Sequence, residues 1–210
     1  MAYRTEQEEF WSGQFGDAYI ERNQNHQIVA ANTALFAEAL KLTEHVETVA
    51  EFGSNIGLNL RAIHTLLPKA SLEAVEINHK AAEILRKDSF FEVPVKVHET
   101  SILEFEPAAQ YDFVLIKGVL IHINPNELEH VYEKLYQSSR RYILLCEYYN
   151  PTPAAIEYRG HKERLFKRDF AGEFLKKYQD VKLLSYGFRY HLDSNFPMDD
   201  ITWFLMEKKQ

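Results

Sequence analysis

The sequence predicts an α/β fold, in which a mostly parallel, seven-stranded sheet follows two N-terminal helices and ends in an antiparallel hairpin. Two observations predict it. Between residues 46 and 148, apolar strand-like runs alternate with helical segments. Strands that are joined by helices pair in parallel, because each helix carries the chain back to the same end of the sheet. The last two strand-like runs have no helix between them, so they are expected to pair antiparallel.

The individual elements follow from hydrophobic periodicity. Helices are predicted over 6–23 and 25–41, the second because apolar residues recur at intervals of three or four from Ile28 to Leu40. In the central part we predict strands at 47–52, 71–77, 95–98, 111–117 and 142–148, with helices at 57–67, 79–88 and 126–138. A helix at 167–178 and strands at 181–190 and 201–207 complete the fold.

Length and composition favour one globular domain. The chain has 210 residues, of which 24 are basic and 31 acidic, and its formal net charge is −7. We therefore predict a single domain over 1–210, with an N-terminal helical lid at 1–45 and the core at 46–210. The excess of acidic residues disfavours nucleic acid as a partner.

Compartment and metal chemistry are constrained as well. The polar N-terminus and the lack of a long apolar run predict a cytoplasmic protein with no membrane partner. Cys146 is the single cysteine, so no internal disulfide can form, and its place in an apolar strand predicts an inert thiol. The histidines show no metal-ligand spacing, so no metal is expected.

The sharpest local signal lies at the end of the first strand. Glu51 is followed by a turn with Gly53, Asn55 and Gly57, and then by a helix. In parallel sheets, ligands bind where strand ends meet helix N-termini, because the backbone can approach closely there and free N–H groups point outward. The turn is therefore a candidate ligand site. An ordinary strand-to-helix turn would explain the same residues.

A second acid, Glu76, ends the next strand at the same edge of the sheet. A carboxylate at that place can accept hydrogen bonds from both hydroxyls of a ribose, so the two strand ends together predict an adenosine site. The turn lacks the G-x-G-x-x-G spacing that packs a pyrophosphate against a helix, and Glu51 would repel one. A nucleoside with a cationic end fits better than a dinucleotide.

These residues resemble the first motif of class I S-adenosylmethionine-dependent methyltransferases, acid-x-Gly-x-Gly-x-Gly. Glu51, Gly53 and Gly57 match it, and Asn55 stands where the family has its middle glycine. The resemblance extends over most of the chain and implies a Rossmann-like class I methyltransferase fold. More narrowly, the chain resembles the methylases associated with pseudaminic acid biosynthesis through residues 10–13, 19–23, 117–125 and 199–203.

The resemblance implies S-adenosylmethionine as the cofactor and assigns the turn to its amino-acid end. Gly53, Ser54, Asn55 and Gly57 would border the methionine part, with Glu51 near its ammonium group.

The remaining cofactor residues follow the second, third and fourth strands. By the same resemblance, Glu76 would hold the ribose, Ile77 and Ile102 would flank the adenine, and Ser101 would bond the adenine amino group. Lys117, in the fourth-strand motif, completes the set.

The N-terminal helices are interpreted as a lid over this site. Tyr19 and Arg22 could reach the methionine carboxylate, since Arg pairs with a carboxylate in a bidentate way. A helix that only packs on the core is the alternative.

Candidate catalytic residues follow the fourth and fifth strands. His122 could remove a proton from a hydroxyl acceptor, because an imidazole titrates near neutral pH, although it could instead brace the turn before Pro125. Tyr148 and Tyr149 leave the same sheet edge and should face the acceptor.

Candidate acceptor residues are Trp11 of the lid and Arg159, His161 and Arg164 of a basic tract at 158–168. Cationic side chains there could pair with a sugar carboxylate or a phosphate, which predicts an anionic, carbohydrate-like acceptor. A solvated helix face explains the tract equally well.

We therefore expect a methyltransferase that acts on a small, polar, anionic acceptor in bacterial sugar or surface-glycan biosynthesis of the nonulosonic acid type, with oxygen and nitrogen both open as the methylated atom. Two alternatives remain. One is a nicotinamide-dependent oxidoreductase, which Glu76 alone favours. The other is a non-catalytic module that binds an adenosine ligand.

Overall fold

Three helices form the N-terminal part of the chain in the computed structural model, which describes residues 3–22 and 26–209. They are α1 (Glu6–Ser12), α2 (Gln14–Arg22) and α3 (His26–Leu40). The prediction of one helix over 6–23 is wrong, because Gly13 takes an extended backbone, with φ of −99° and ψ of −155°, and ends α1. Positions 23 and 25 of the predicted helices lie outside the described residues.

A seven-stranded sheet forms the centre of the molecule. Its strands are β1 (Thr48–Phe52), β2 (Ser71–Glu76), β3 (Lys96–Glu99), β4 (Tyr111–Lys117), β5 (Ser139–Glu147), β8 (Val181–Arg189) and β9 (Ile201–Lys208). The order across the sheet is β3-β2-β1-β4-β5-β9-β8. The first five strands are parallel, while β9 runs antiparallel to both β5 and β8. The predicted parallel sheet with a terminal antiparallel pair is confirmed.

Helices cover both faces of this sheet, because its strands are apolar on both sides. The remaining helices are α4 (Leu58–Leu66), α5 (His79–Arg86), α6 (Leu128–Ser138) and α7 (Phe170–Lys177). On one face α3, α4 and α5 pack through residues such as Phe36, Leu60 and Leu85. On the other face α6 and α7 pack through residues such as Leu135 and Phe174. The result is three layers with two apolar cores.

The chain reverses its direction across the sheet between β1 and β4. It runs outward from β1 through β2 to β3 and then returns to β4 on the other side of β1. In open parallel sheets the crevice at such a switch point, beyond the carboxyl ends of the strands, is where ligands bind. The turn after β1, which the sequence analysis singles out as a candidate ligand site, lies at this switch point.

A separate hairpin, β6 (Ala154–Tyr158) and β7 (His161–Lys167), contains the basic tract. The alternative of a solvated helix face for this tract is wrong, because these residues form two paired strands. Arg159 and Gly160 form its two-residue turn with φ of 51° and 82°, a conformation that favours glycine and matches the twist of paired strands. Within residues 3–22 and 26–209, no helix is long and apolar enough to cross a membrane.

Candidate functional site

A cavity of about 380 Å³ lies at the carboxyl ends of β1, β2 and β4, and its size falls within the roughly 300–1,000 Å³ of small-molecule sites. Its floor consists of the segments that follow the strands: 53–56, 75–78, 101–103 and 117–119. Its cover consists of α1 and α2, the first turns of α3, and residues 197–199 of the loop between β8 and β9.

Glu51, the last but one residue of β1, lies fully buried beneath the cavity wall. Its Oε1 accepts a hydrogen bond of 2.6 Å from the amide of Asn59, which lines the cavity. Its Oε2 has no partner among the described residues. Burial raises the pKa of Glu51 to about 8, against the opposing effects of Asn59 and Lys117.

Glu76 ends β2 and lines the cavity directly. Its Oε2 accepts from the backbone N–H of Asn55 and its Oε1 from that of Asn78, each at 2.7 Å. These bonds fix the carboxylate and tie the turn after β1 to the end of β2. Burial raises the pKa of Glu76, while the backbone hydrogen bonds act in the opposite direction.

The turn after β1 brings backbone rather than side chains to the cavity. Gly53 has φ of 77°, and a Cβ atom there would lie 2.5 Å from Cγ2 of Val119. Ser54 and Asn55 line the cavity with it, and Asn55 also has a positive φ, of 47°. Gly57 does not line the cavity; it is the N-cap residue of α4, and an added Cβ there would lie 2.5 Å from Cδ1 of Leu85 in α5.

The segment after β3 forms the end of the cavity next to Glu76. Ser101 and Ile102 of this segment line the cavity, together with Ile77, which follows β2. The Oγ of Ser101 accepts from the N–H of Leu103 at 3.1 Å and donates to the carboxylate of Glu8, from α1.

At the end of β4, Lys117 lines the cavity together with Gly118 and Val119. Glu147 of β5 fixes this segment, because its Oε1 accepts hydrogen bonds from the N–H groups of Val119 and Leu120 at 3.0 and 2.9 Å. Burial raises the pKa of Glu147 to about 7. Sequence reasoning missed this role, although an acid at the end of an apolar strand was a signal for it.

His122 lines the cavity and is buried. Its Nδ1 lies 2.5 Å from the carbonyl oxygen of Arg164, so Nδ1 carries the proton and donates it. The ring contacts those of Trp11 and Tyr158, with centroids 4.5 and 5.0 Å away. Burial lowers the pKa of His122 to about 4, so the ring is neutral at pH 7 and a weaker base than the sequence suggests.

The predicted lid residues divide into two groups. Trp11 and Tyr19 line the cavity, and burial raises the pKa of Tyr19 to about 12, which keeps its phenol neutral. Arg22 does not line it; its guanidinium lies over the rings of Phe15 and Tyr19, 5.1 and 5.8 Å from their centroids. The amide of Asn78 donates to Asp17 of α2 at 2.9 Å and connects the lid to the end of β2.

Asn32 of α3 lines the cavity and was not found from the sequence. It is 1% exposed, and neither atom of its amide has a partner among the described residues. It sits in a helix that reads as an ordinary apolar packing helix, so no local pattern distinguishes it.

The hairpin residues predicted to bind the acceptor do not line the cavity. The guanidinium of Arg164 pairs with Glu6 of α1 at 3.1 Å. The ring of His161 lies 5.0 Å from that of Phe10, and Arg159 extends over Tyr158. The hairpin thus packs against α1.

Tyr148 and Tyr149 also lie outside the cavity wall. Lys167 extends over the ring of Tyr148, and Tyr149 is 45% exposed. The described part of the chain contains no group of three or more His, Cys, Asp or Glu residues that could hold a metal ion. Cys146 is buried in β5, and burial raises the pKa of its thiol.

No protein-family model and no curated protein sequence matches the chain. Solved structures are similar to it in fold. The 1,6-didemethyltoxoflavin-N1-methyltransferase of Burkholderia thailandensis, with 1,6-didemethyltoxoflavin and S-adenosylhomocysteine bound, has a TM-score of 0.69 at 13% identity, over 97% of this chain and 87% of that one.

Two further structures agree. The magnesium protoporphyrin IX methyltransferase of Synechocystis PCC 6803, with bound S-adenosylmethionine, has a TM-score of 0.67 at 13% identity over 100% of both chains. The N-methyltransferase NodS of Bradyrhizobium japonicum WM9, in complex with S-adenosylhomocysteine, has a TM-score of 0.67 at 12% identity, over 92% of this chain and 98% of that one. The chain therefore has the Rossmann-like fold of class I methyltransferases, as predicted.

Proposed function

We propose that this protein binds S-adenosylmethionine and transfers its methyl group to a small molecule. The observation that carries the proposal is the pair of buried carboxylates, Glu51 and Glu76, at the ends of neighbouring parallel strands beside one cavity. The fold supports it, because similar structures contain S-adenosylmethionine or its demethylated product.

The cavity residues fit a nucleoside at the end near β2 and β3. Two backbone N–H groups hold the carboxylate of Glu76, and each of its oxygens keeps a lone pair for a ribose hydroxyl. Ile77 and Ile102 offer apolar walls for the base.

The residues at the end near β1 and β4 fit an amino-acid group with a cation. The Oε2 of Glu51 is buried without a partner, and a buried carboxylate is stabilised in its charged form by a nearby positive charge. Because Gly53 has no Cβ, the backbone can approach the ligand closely there. Asn59 donates a hydrogen bond to Glu51 and lines the cavity, so its amide lies between this carboxylate and the cavity.

When bound, S-adenosylmethionine supplies a methyl group on a positively charged sulfur, which is an activated leaving group. The protein then mainly has to align the acceptor and exclude water, and alignment contributes up to roughly 7–11 kcal/mol in ideal intramolecular reactions. Trp11 and Tyr19 cover the cavity and are suited to both tasks.

His122 orients rather than deprotonates the acceptor in this proposal. A general base works best when its pKa lies near the working pH, whereas the pKa of His122 is lowered to about 4. With Nδ1 donating to the carbonyl of Arg164, Nε2 is left as a hydrogen-bond acceptor for a hydroxyl or amine.

For the acceptor we retain an anionic, carbohydrate-like metabolite of nonulosonic acid type. The segments that resemble pseudaminic acid-associated methylases support it. Lys117, which the sequence analysis assigns to the cofactor, is the one Lys or Arg among the described residues that line the cavity. We therefore reassign it to the anionic group of the acceptor.

Calorimetric titration tests the proposal. We expect S-adenosylmethionine and S-adenosylhomocysteine to bind with one site per chain, and NAD not to bind. Glu76→Ala should weaken the binding of S-adenosylmethionine and of S-adenosylhomocysteine, because a hydrogen bond to a charged group contributes about 1.5–3 kcal/mol. Binding of NAD alone would instead support the oxidoreductase alternative. Binding without methyl transfer to any of a panel of sugar acids and amines would support the non-catalytic module.

A further inference from the structure

Glu8 is a carboxylate of the lid that lies inside the site. It belongs to the first turn of α1, where acidic side chains commonly remain in water near the helix N-terminus. Its neighbours Glu6 and Glu9 follow that rule and are exposed, whereas Glu8 is 8% exposed and lines the cavity.

Two sets of hydrogen bonds hold this side chain in place. Its Oε2 accepts from the backbone N–H of Thr5 at 2.8 Å and from the Thr5 hydroxyl at 3.1 Å, in a helix-capping box. Its Oε1 accepts from the hydroxyl of Ser101. No Lys or Arg pairs with Glu8 among the residues described, so only neutral donors compensate its buried oxygens.

The bond to Ser101 places Glu8 Oε1 next to the predicted adenine walls. Ser101 precedes Ile102 directly, and Ile102 and Ile77 line the same part of the cavity. The Ser101 oxygen already accepts from the N–H of Leu103 and donates its own proton to Glu8. Glu8 Oε1 therefore remains a stronger acceptor than the Ser101 oxygen, because a carboxylate oxygen that accepts one hydrogen bond keeps a second lone pair.

We propose that Glu8 accepts a hydrogen bond from the exocyclic amino group of the adenine, so that the lid completes the base-recognition site. The inference rests on the proposed binding of S-adenosylmethionine. A carboxylate can only accept, so it matches the 6-amino group of adenine and disfavours hypoxanthine, which carries an oxygen at the same position. Glu8 would then make the site selective for adenine over hypoxanthine.

The test compares S-adenosylhomocysteine with S-inosylhomocysteine, in which an oxygen replaces the amino group and N1 carries a proton, by calorimetric titration of the full chain. Wild-type protein should bind the adenine compound about ten- to a hundredfold more tightly, the range for a hydrogen bond to a charged group. Equal affinities would overturn the proposal without any variant.

Glu8→Gln assigns the discrimination to this residue. Gln also forms a capping box, so α1 should remain folded, and Glu9→Gln on the exposed face of the same helix is the matched control. We expect Glu8→Gln to weaken binding of the adenine compound and to reduce the ratio of the two affinities at least fivefold, because its amide can also donate to the hypoxanthine oxygen. Glu9→Gln should leave both affinities unchanged.

The outcomes separate this inference from the proposed function. A wild-type protein that binds neither compound would overturn the proposed function. Tight binding of the adenine compound with a Glu8→Gln ratio equal to that of wild type would overturn only the role of Glu8. Ser101 and Ile102 would then be left as the residues that select the base.

Discussion

Some buried polar side chains at this site have atoms without a hydrogen-bond partner, and this distinguishes the site from an ordinary edge of a sheet. Glu51 keeps an unpaired oxygen, and both amide atoms of Asn32 are unpaired among the described residues. An unsatisfied buried polar group costs about 1–3 kcal/mol. Such groups are tolerated where a ligand supplies the missing hydrogen bonds, which is why we place the ligand beside them.

Replacing Asn32 tests this view directly. Asn32→Leu should stabilise the ligand-free protein by about 1 kcal/mol or more, because it replaces an unpaired amide with an apolar group of similar size. The matched control is Asn78→Leu. Asn78 is also buried, but its oxygen accepts from the N–H of Ala81 and its nitrogen donates to Asp17, so this variant should be destabilised.

Urea unfolding of the two variants distinguishes the possibilities. Opposite signs for the two changes in unfolding free energy agree with a ligand-facing Asn32. A loss of stability in Asn32→Leu as large as that in Asn78→Leu would mean that the amide serves the fold and not a ligand.

At the level of elements, the turn between β1 and α4 depends on glycine for two reasons. Gly53 has a positive φ, and an added Cβ would meet Val119. Gly160, at the tip of the hairpin, also has a positive φ, of 82°, but nothing lies within 4 Å of a Cβ there. The two positions therefore separate backbone strain from steric contact.

We expect Gly160→Ala to lower the free energy of unfolding by about 1–2 kcal/mol, the usual strain of a left-handed residue. Gly53→Ala should lower it by more and should also weaken binding of S-adenosylhomocysteine, which Gly160→Ala should not affect. Equal losses of stability and unchanged binding in both variants would show that the backbone at Gly53 does not approach the ligand.

The elements also show what the sequence could and could not predict. The parallel sheet with its antiparallel end was predictable from the alternation of strands and helices. Glu76, Ile77 and Ile102 could be placed at one edge because residues that follow parallel strands meet there. Glu8 and Asn32 could not be placed there, because both lie on helices whose approach to that edge depends on tertiary packing.

The basic tract illustrates a different kind of error. Its charges indicated either an acceptor site or a solvated helix, whereas the chain forms a hairpin whose cations contact the lid. The signal was present in Arg159 and Gly160, because a two-residue turn with glycine between strand-like runs is typical of hairpins. The prediction relied on the charges of the tract and overlooked these two turn residues.

At the level of the whole molecule, the buried titratable groups predict how stability varies with pH. The pKa of Glu51 is raised to about 8 and that of Glu147 to about 7, so the folded state holds protons that the unfolded state releases above pH 4.5. The contribution of these two protonated groups to the free energy of unfolding is fully present below pH 4.5 and is lost as the pH rises towards 8. The pKa of His122 is lowered to about 4, so its contribution is lost only as the pH falls below 6.5.

Between pH 6.5 and 8 the two carboxyl groups therefore dominate among these three residues, and we expect the free energy of unfolding to fall with pH in this window. Glu51→Gln should reduce the slope. Glu129→Gln removes an exposed carboxylate whose pKa is lowered by Lys177, so it should leave the slope unchanged. Urea unfolding at several pH values measures this, and a wild-type slope in Glu51→Gln would contradict a protonated Glu51.

The whole fold brings these local features into one functional arrangement. The crevice lies at the switch point between β1 and β4, the two neighbouring strands contribute Glu51 and Glu76, and α1, α2 and the first turns of α3 cover the cavity.

A crystal structure of the protein with S-adenosylhomocysteine tests the central claim most directly. We predict that the ribose hydroxyls lie within hydrogen-bond distance of the Glu76 carboxylate, with the base between Ile77 and Ile102 and the homocysteine ammonium on the side of Glu51. A ligand bound elsewhere, or with its ribose away from Glu76, would contradict the account.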